Sequence, residues 1–343
     1  MSLNKTKTWK VLLVSLAAAL SFSVLSACSS SKGGNAADNS TAVATYKGGT
    51  ITEKAFDLDQ KIMKFLSPDQ AQYLQIDAFK ESILKQEVAF EYLAGQATDE
   101  AKKEAKKEAD AQVEAMKKGL GKTYKDTLKQ QGITEEDIHA YMVRVLTVYQ
   151  DMLLKVTDED VKKEFEATKG DFTVANLRHV LIGFTDADKK ERSKEDALKL
   201  AKQVKAELDG GADFAEVVKK YTDDTASKET GGEYKDKPLG TYVESFKKAA
   251  QTLPLNTISE PVESQFGYHI IKVESRTEKT FDQLTDEQKE NIKQSLASKS
   301  LENFMEKELD GIIEKINLPK SSAPADEKGT EPSASPEATK AAE

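Results

Sequence analysis

Two of the chain's three histidines stand in strand-like alternation. His179 lies in Asn176-Leu-Arg-His-Val-Leu-Ile182, in phase with Leu177 and Leu181, and His269 lies in Phe266-Gly-Tyr-His-Ile-Ile-Lys-Val273, in phase with Ile271 and Val273. A period of two sends successive side chains to opposite faces, so each imidazole is expected on an apolar face. Held there, it donates, accepts or exchanges a proton near neutral pH. His139 lies beside Glu135, opposite the apolar stripe of its helix, and reads as solvated. The single cysteine, Cys28, cannot form an internal disulfide. No paired Cys or His has metal-ligand spacing and no glycine motif fits a phosphate, so neither metal nor cofactor is expected.

The elements that position the two histidines read as strand, helix, helix, polar loop, helix, strand, from about Ala175 to Arg276. Ser193 to Leu208 carries Ala197, Leu200, Ala201, Val204 and Leu208 on one face, and Gly210-Gly211 breaks it. Asp213 and Glu216 flank a second helix start with Phe214, Val217, Val218 and Tyr221 inward; a third helix runs from about Val243 to Leu253 and stops at Pro254.

Outside this segment the pattern is helical. A short strand and turn at Val43 to Ile51 precede a helix from Thr52 to about Leu66. Ser67-Pro68-Asp69-Gln70 predicts the start of an amphipathic helix reaching Ala94. Asp99 to Lys118 is a charged helix whose thin stripe, Ala101, Ala105, Ala109, Val113 and Met116, needs partner helices or presents itself to something else, a homodimer through the helical domain included. Thr134 caps a helix with Ile138, Tyr141, Met142, Val145, Tyr149 and Met152 inward, and Thr157 caps another to about Thr168. Thr285-Asp286-Glu287-Gln288 opens a helix of nearly thirty residues with Ile292, Leu296, Phe304, Leu309, Ile312 and Ile316 inward. That much apolar surface must dock, which predicts a discontinuous helical domain, 43–172 plus 277–319, with 173–276 inserted in it.

Lys5, Lys7 and Lys10 precede an apolar run from Val11 to Leu25 that is short for a membrane span and reads as a secretory signal, 1–27. Leu25-Ser26-Ala27-Cys28 resembles the bacterial lipobox, in which the cysteine is acylated and becomes the N-terminus. Residues 28–42 then form a flexible linker, and 320–343, without a large apolar residue, a disordered tail. Loss of the signal takes the formal charge from −9 to −12, against nucleic acid as a partner.

His179-Val-Leu-Ile, Gly211-Ala-Asp-Phe214-Ala, Tyr221-Thr-Asp-Asp224, Gly231-Gly232, Phe246, Ile258-Ser-Glu-Pro-Val262 and Phe266-Gly-Tyr-His269-Ile-Ile together resemble the parvulin family of peptidyl-prolyl isomerases. With the lipobox and flanking helices, the whole resembles the PrsA-type extracellular foldases of Gram-positive bacteria. The resemblance implies an α+β fold: a parvulin-like domain, an antiparallel sheet with surrounding helices, inserted in a discontinuous all-helical chaperone-like domain. It implies His179 and His269 as the paired central histidines and Asp224 as the catalytic carboxylate facing the substrate carbonyl. Substrate-binding residues would be Phe246, Tyr242 and Tyr234 in the pocket, with Ser264, which orients the histidines, and Phe266.

The family usually continues Asp-Leu-Gly and an aromatic after the Gly-Gly pair; here Glu233-Tyr234-Lys235-Asp236-Lys237-Pro238-Leu239-Gly240 follows, so that Tyr234 replaces a pocket leucine and Tyr242 a pocket methionine. Asn256 stands where a glycine is usual, a residue tolerant of the left-handed conformation. The mixed charges of Asp186 to Arg192 give no phosphate clamp. The expected function is isomerisation of X-Pro bonds by a foldase lipid-anchored through Cys28 on the outer side of the cell membrane, with unfolded or partly folded exported polypeptides as partners. The alternative is a holdase whose parvulin domain is weak or silent. A solute receptor would need two α/β lobes, which the long charged helices oppose.

Overall fold

The computed structural model describes residues 40–186 and 188–318. Their contacts divide into a first unit, 40–154 with 298–318, and a second, 155–297. Cys28, the signal 1–27, most of the linker and the tail 320–343 lie outside the described residues.

The chain starts with a hairpin, β1 (Ala42–Tyr46) and β2 (Gly49–Thr52), turned at Gly48 with φ +125°. Helix α1 (Glu53–Leu66) is capped by the Thr52 hydroxyl, which accepts from the Ala55 N–H. The helix start predicted at Ser67 forms, with Pro68 in the first turn, but as a 3-10 helix without the side-chain cap bond rather than as the α-helix expected to reach Ala94. Ser67 serves both as the C-cap of α1, its N–H donating to the Met63 carbonyl, and as the N-cap of the 3-10 helix Pro68–Gln75. The next helix, α2 (Asp77–Gln96), begins only after the extended Ile76. In α3 (Asp99–Leu120) the thin alanine stripe is buried within the unit, Ala101, Ala105 and Ala109 having no exposure. Helix α4 (Tyr124–Gln131) ends at the left-handed Gly132, and α5 (Glu135–Lys155) buries Ile138, Met142, Val145 and Met152 as its spacing requires.

The second unit begins with α6 (Asp158–Thr168), closed by the reciprocal capping box of Thr157 and Asp160. Its Phe165, with no exposure, packs with Val161, Leu284 and Ile292, and its ring lies 5.3 Å from Phe172 and 5.9 Å from Phe281. This cluster is the reason the second unit extends to 155–297 beyond the 173–276 segment.

There follow β3 (Val174–Gly183), α7 (Lys194–Asp209), α8 (Phe214–Tyr221), β4 (Glu233–Pro238), α9 (Glu244–Thr252), β5 (Val262–Ser264) and β6 (Gly267–Thr277). All pairings are antiparallel, in the order β4-β3-β6-β5. Strand β4, read from sequence as a polar loop, is an edge strand with Lys235, Asp236 and Lys237 exposed, so it shows no apolar alternation. Asn256 adopts φ +60°, as expected of its position.

Helix α10 (Asp286–Lys307) opens on the expected bonds between Thr285 and Gln288. It does not reach Ile316. The chain leaves the helix at Lys307, and β7 (Ile313–Ile316) pairs with β1, Ala44 opposite Ile316. Isoleucines at 312, 313 and 316 suit either period, and the strand partner lies far away in sequence, so local spacing cannot choose. The architecture is mixed α+β with antiparallel sheets. The flanking unit, expected to be all-helical, carries the three-stranded sheet β2-β1-β7.

Candidate active site

The register of β3 and β6 sets His179 opposite Ile271 and His269 opposite Leu181. The two histidines are thus diagonal neighbours on one face of the sheet. That face packs Leu177, Ile271 and Val273 against Leu239, Phe246 and Ala250, while Val180, Ile182, Tyr268 and Ile270 cover the other with α7 and α8. Next to β3 runs the Gly231-Gly232 turn. Gly232 has φ +76°, its carbonyl accepts the His179 N–H at 2.9 Å, and a Cβ there would sit inside the envelope of the His179 carbonyl oxygen. Only glycine lets this turn hug the strand and start β4 beside the histidine. Arg178 pins the turn, donating to Gly231 O at 3.2 Å, Glu233 at 3.2 Å and Glu274 at 2.9 Å.

Asp224 arrives from the loop after α8. The buried Thr222 hydroxyl accepts from Leu181 N at 3.1 Å and from Asp224 N at 3.2 Å, tying the loop to β3. Asp223 adds the Gly183 N–H at 2.8 Å and the Arg192 guanidinium at 2.7 Å.

A continuous polar chain results. Ser264 Oγ is 2.8 Å from His269 Nε2, His269 Nδ1 is 3.3 Å from His179 Nδ1, and His179 Nε2 is 2.9 Å from Asp224 Oδ2. Tyr234 OH donates to the same Asp224 oxygen at 2.9 Å, and Ser227 Oγ also donates to it. Burial alone would favour a neutral Asp224, but the bonds from His179, Ser227 and Tyr234 outweigh it and hold the carboxyl below the usual carboxylate range. His269 is pushed down to about 3 by burial and by the neighbouring His179, so it is neutral at physiological pH. An ionised carboxylate only accepts, which assigns the proton of His179 Nε2 toward Asp224. The Nδ1–Nδ1 contact between the two rings is bridged by one proton, and Ser264 Oγ, able to donate or accept, meets His269 Nε2. The chain thus runs unbroken from Ser264 to the carboxylate, an arrangement in which successive bonds polarise one another.

Aromatic rings wall the site. Tyr234 stacks on His179 with centroids 5.1 Å apart, and Phe246 stands edge-on to His179 at 5.5 Å and to His269 at 5.1 Å. Tyr242 lies 4.9 Å from Phe246 and 5.7 Å from Tyr234, its hydroxyl buried without a hydrogen-bond partner among the described residues. Such a site sets aromatic walls beside one fixed anion and the neutral imidazole of His269.

The model of the PPIC-type peptidyl-prolyl isomerase domain matches residues 161–277. Foldase protein PrsA 3 of Bacillus anthracis is 32% identical over 274 residues, which cover 79% of this chain and 79% of that protein. The chain belongs to the PrsA foldase family. Foldase protein PrsA of Caldanaerobacter subterraneus subsp. tengcongensis is 39% identical over 154 residues, 44% of this chain and less than half, 46%, of that relative. The crystal structure of a peptidylprolyl isomerase (PrsA) from Bacillus anthracis is 26% identical and covers 69% of this chain and 100% of its own, with a TM-score of 0.46. This PrsA-family chain is a peptidyl-prolyl cis-trans isomerase.

Of the residues singled out by sequence in this PrsA-family chain, the fold brings together His179, His269, Asp224, Tyr234, Tyr242, Phe246 and Ser264. Phe266 contributes its backbone, its N–H donating to Ser264 Oγ at 3.1 Å, while the side chain is exposed. Ser227 escaped the sequence reading. It is 1% exposed, and its one signal was the three-residue spacing from Asp224 in a polar loop. His139, expected to be solvated, keeps 29% side-chain exposure, its Nε2 lying 2.8 Å from the exposed Asp110. Among the described residues no group of three or more His, Cys, Asp or Glu could hold a metal.

Proposed function

We propose that the chain is a membrane-anchored extracytoplasmic foldase that turns X-Pro bonds in exported polypeptides through the site built on His179, His269 and Asp224. The observation that carries this reading is the closed chain from Ser264 to Asp224 beside the ring of Phe246. Rotation about an X-Pro amide has a barrier of about 18–20 kcal/mol, set by C–N double-bond character, and breaks no bond. The substrate's proline ring lies in the slot formed by Phe246, Tyr242 and Tyr234. Asp224, a fixed anion, faces the carbonyl of the preceding residue. A planar amide carries the larger negative charge on that oxygen, so the anion disfavours the planar state relative to the twisted one. A carboxylate is a poor nucleophile for an amide, and catalysis is noncovalent. Ser264 and the two imidazoles hold Asp224 and the sheet face in place.

Anchoring is supported by the tetrapeptide Leu25-Ser26-Ala27-Cys28 after a basic and apolar leader, since two or three acyl chains hold a protein on a membrane where one does not. Among the described residues no helix is long and apolar enough to cross a membrane. Unfolded exported chains are the partners, the helical unit shielding them while the second unit acts on their prolines.

The test is the catalysed cis-to-trans rate of short X-Pro peptides with the full chain and its Asp224→Ala and His269→Ala variants, each checked for folding. A rate above background that falls at least tenfold in folded variants supports the assignment. Tyrosines at 234 and 242 favour a second reading, a holdase with a silent isomerase site. A background rate together with full suppression of client aggregation would select it.

A further inference from the structure

Asp224 ends in a side chain whose last torsion, between sp³ and sp² carbons, has broad minima, so its two oxygens need external restraint. Ser227 is three residues away on the same loop and travels with it. His179 reaches Oδ2 from β3, and Tyr234 reaches the same oxygen from β4, while among the described residues Oδ1 accepts only a local bond, from Ala226 N at 3.1 Å. Tyr234 is itself fixed. It sits opposite Leu177 in the ladder, two residues after the Gly232 turn, and its ring stacks on His179 at an interplanar angle of 26°. The hydroxyl and the ring therefore address both partners of the Asp224–His179 bond, from a strand that carries neither.

We propose that Tyr234 is a positioning residue of the isomerase reaction, its hydroxyl setting the orientation of the Asp224 carboxylate and its ring that of His179. The inference rests on the reading of Asp224 as the catalytic anion. It assigns Tyr234 more than the wall of an apolar slot: a wall is kept by phenylalanine, and an aim is not. A small misorientation of a reacting group costs one to two powers of ten in rate.

A double-mutant cycle on the full chain, Tyr234→Phe with Asp224→Ala, separates the roles. The expected result is a loss of about tenfold in kcat/KM for Tyr234→Phe, carried by kcat with KM little changed, and no further loss when Asp224 is already alanine. Near-ultraviolet circular dichroism and thermal melts confirm that the variants are folded. Wild-type rates in Tyr234→Phe, with Asp224→Ala impaired, overturn the inference and leave the reading of Asp224 standing. Equal losses in both backgrounds also overturn it, because the hydroxyl then acts on substrate directly. Should Asp224→Ala leave too little rate for the cycle, the ¹³C titration of the Asp224 carboxyl decides. It moves up in Tyr234→Phe if the hydroxyl holds the anion, and an unmoved titration overturns the proposal. An inactive wild type removes the reading of Asp224 and the inference with it.

Discussion

Tyr242 carries a cost in the unliganded site. Its hydroxyl is buried without a partner among the described residues, and burial pushes its pKa up to about 12. Replacing an unsatisfied hydroxyl by hydrogen removes a desolvation penalty of roughly 1–3 kcal/mol, so Tyr242→Phe is expected to stabilise the second unit by about 1 kcal/mol. A rise in the urea midpoint at constant m-value checks it; an unchanged or lower midpoint shows that the hydroxyl finds a partner, water included. At this scale the sequence was informative where a residue type was rare and in phase. His179 and His269 were legible because two imidazoles shared an apolar face with leucine, isoleucine and valine. Ser227 was not, because its role depends on a loop conformation fixed by Thr222, Gly231 and Gly232 together. The tyrosine hydroxyls at 234 and 242 were visible as residues, but which of them meets Asp224 is set by strand register.

Elements differed in legibility for a related reason. Helices announced themselves through caps such as Thr157 with Asp160 and Thr285 with Gln288, whose partners are three residues apart. Strands β4 and β7 depend on partners far along the chain, and β4 has polar outer residues besides. The Gly232 turn is what attaches β4 to β3. Gly232→Ala places a methyl group against the His179 carbonyl at φ +76° and near Val218. The expected outcome is a loss of roughly 3–5 kcal/mol in the stability of the second unit, from backbone strain and the displaced ladder, and a comparable collapse of isomerase rate. Chemical denaturation followed at Tyr234 would register it. A variant within 1 kcal/mol of the parent would mean that the turn is free to retreat from β3.

Across the molecule, the two units carry buried titratable groups of opposite habit. His269 in the second unit has its pKa pushed down to about 3, mainly by burial, from an ordinary 6.5. Below about pH 6.5 the unfolded chain binds a proton that the native unit refuses, so stability falls by up to about 1.4 kcal/mol per pH unit toward acid. In the first unit Glu87, 5% exposed, is pushed well above the carboxylate range by burial and then by Asp59, against the pull of Arg144. There the native state holds the extra proton, and stability rises as pH falls toward about 4.5, the ordinary value. Calorimetry between pH 6.5 and 4.5 is expected to show the first unit's transition moving up and the second unit's moving down. His269→Gln should flatten the second shift and Glu87→Gln the first; parallel shifts of both transitions would contradict the assignment. Sequence alone could not place this contrast. Glu87 lies in a helix among many surface glutamates, and only packing shows it buried with Asp59 and Arg144.

Strand β4 also bears on a hazard peculiar to a protein that works among unfolded chains. A sheet edge is a template: its free backbone groups can recruit any extended segment and seed aggregation. The β4 edge of the isomerase sheet is guarded. It presents Lys235, Asp236 and Lys237 to solvent, closes with Pro238, and is kinked at Asp236, where φ is +52° and the N–H is taken by Asn176. The segment that brings Tyr234 to the site thus also makes that edge a poor template for other extended chains.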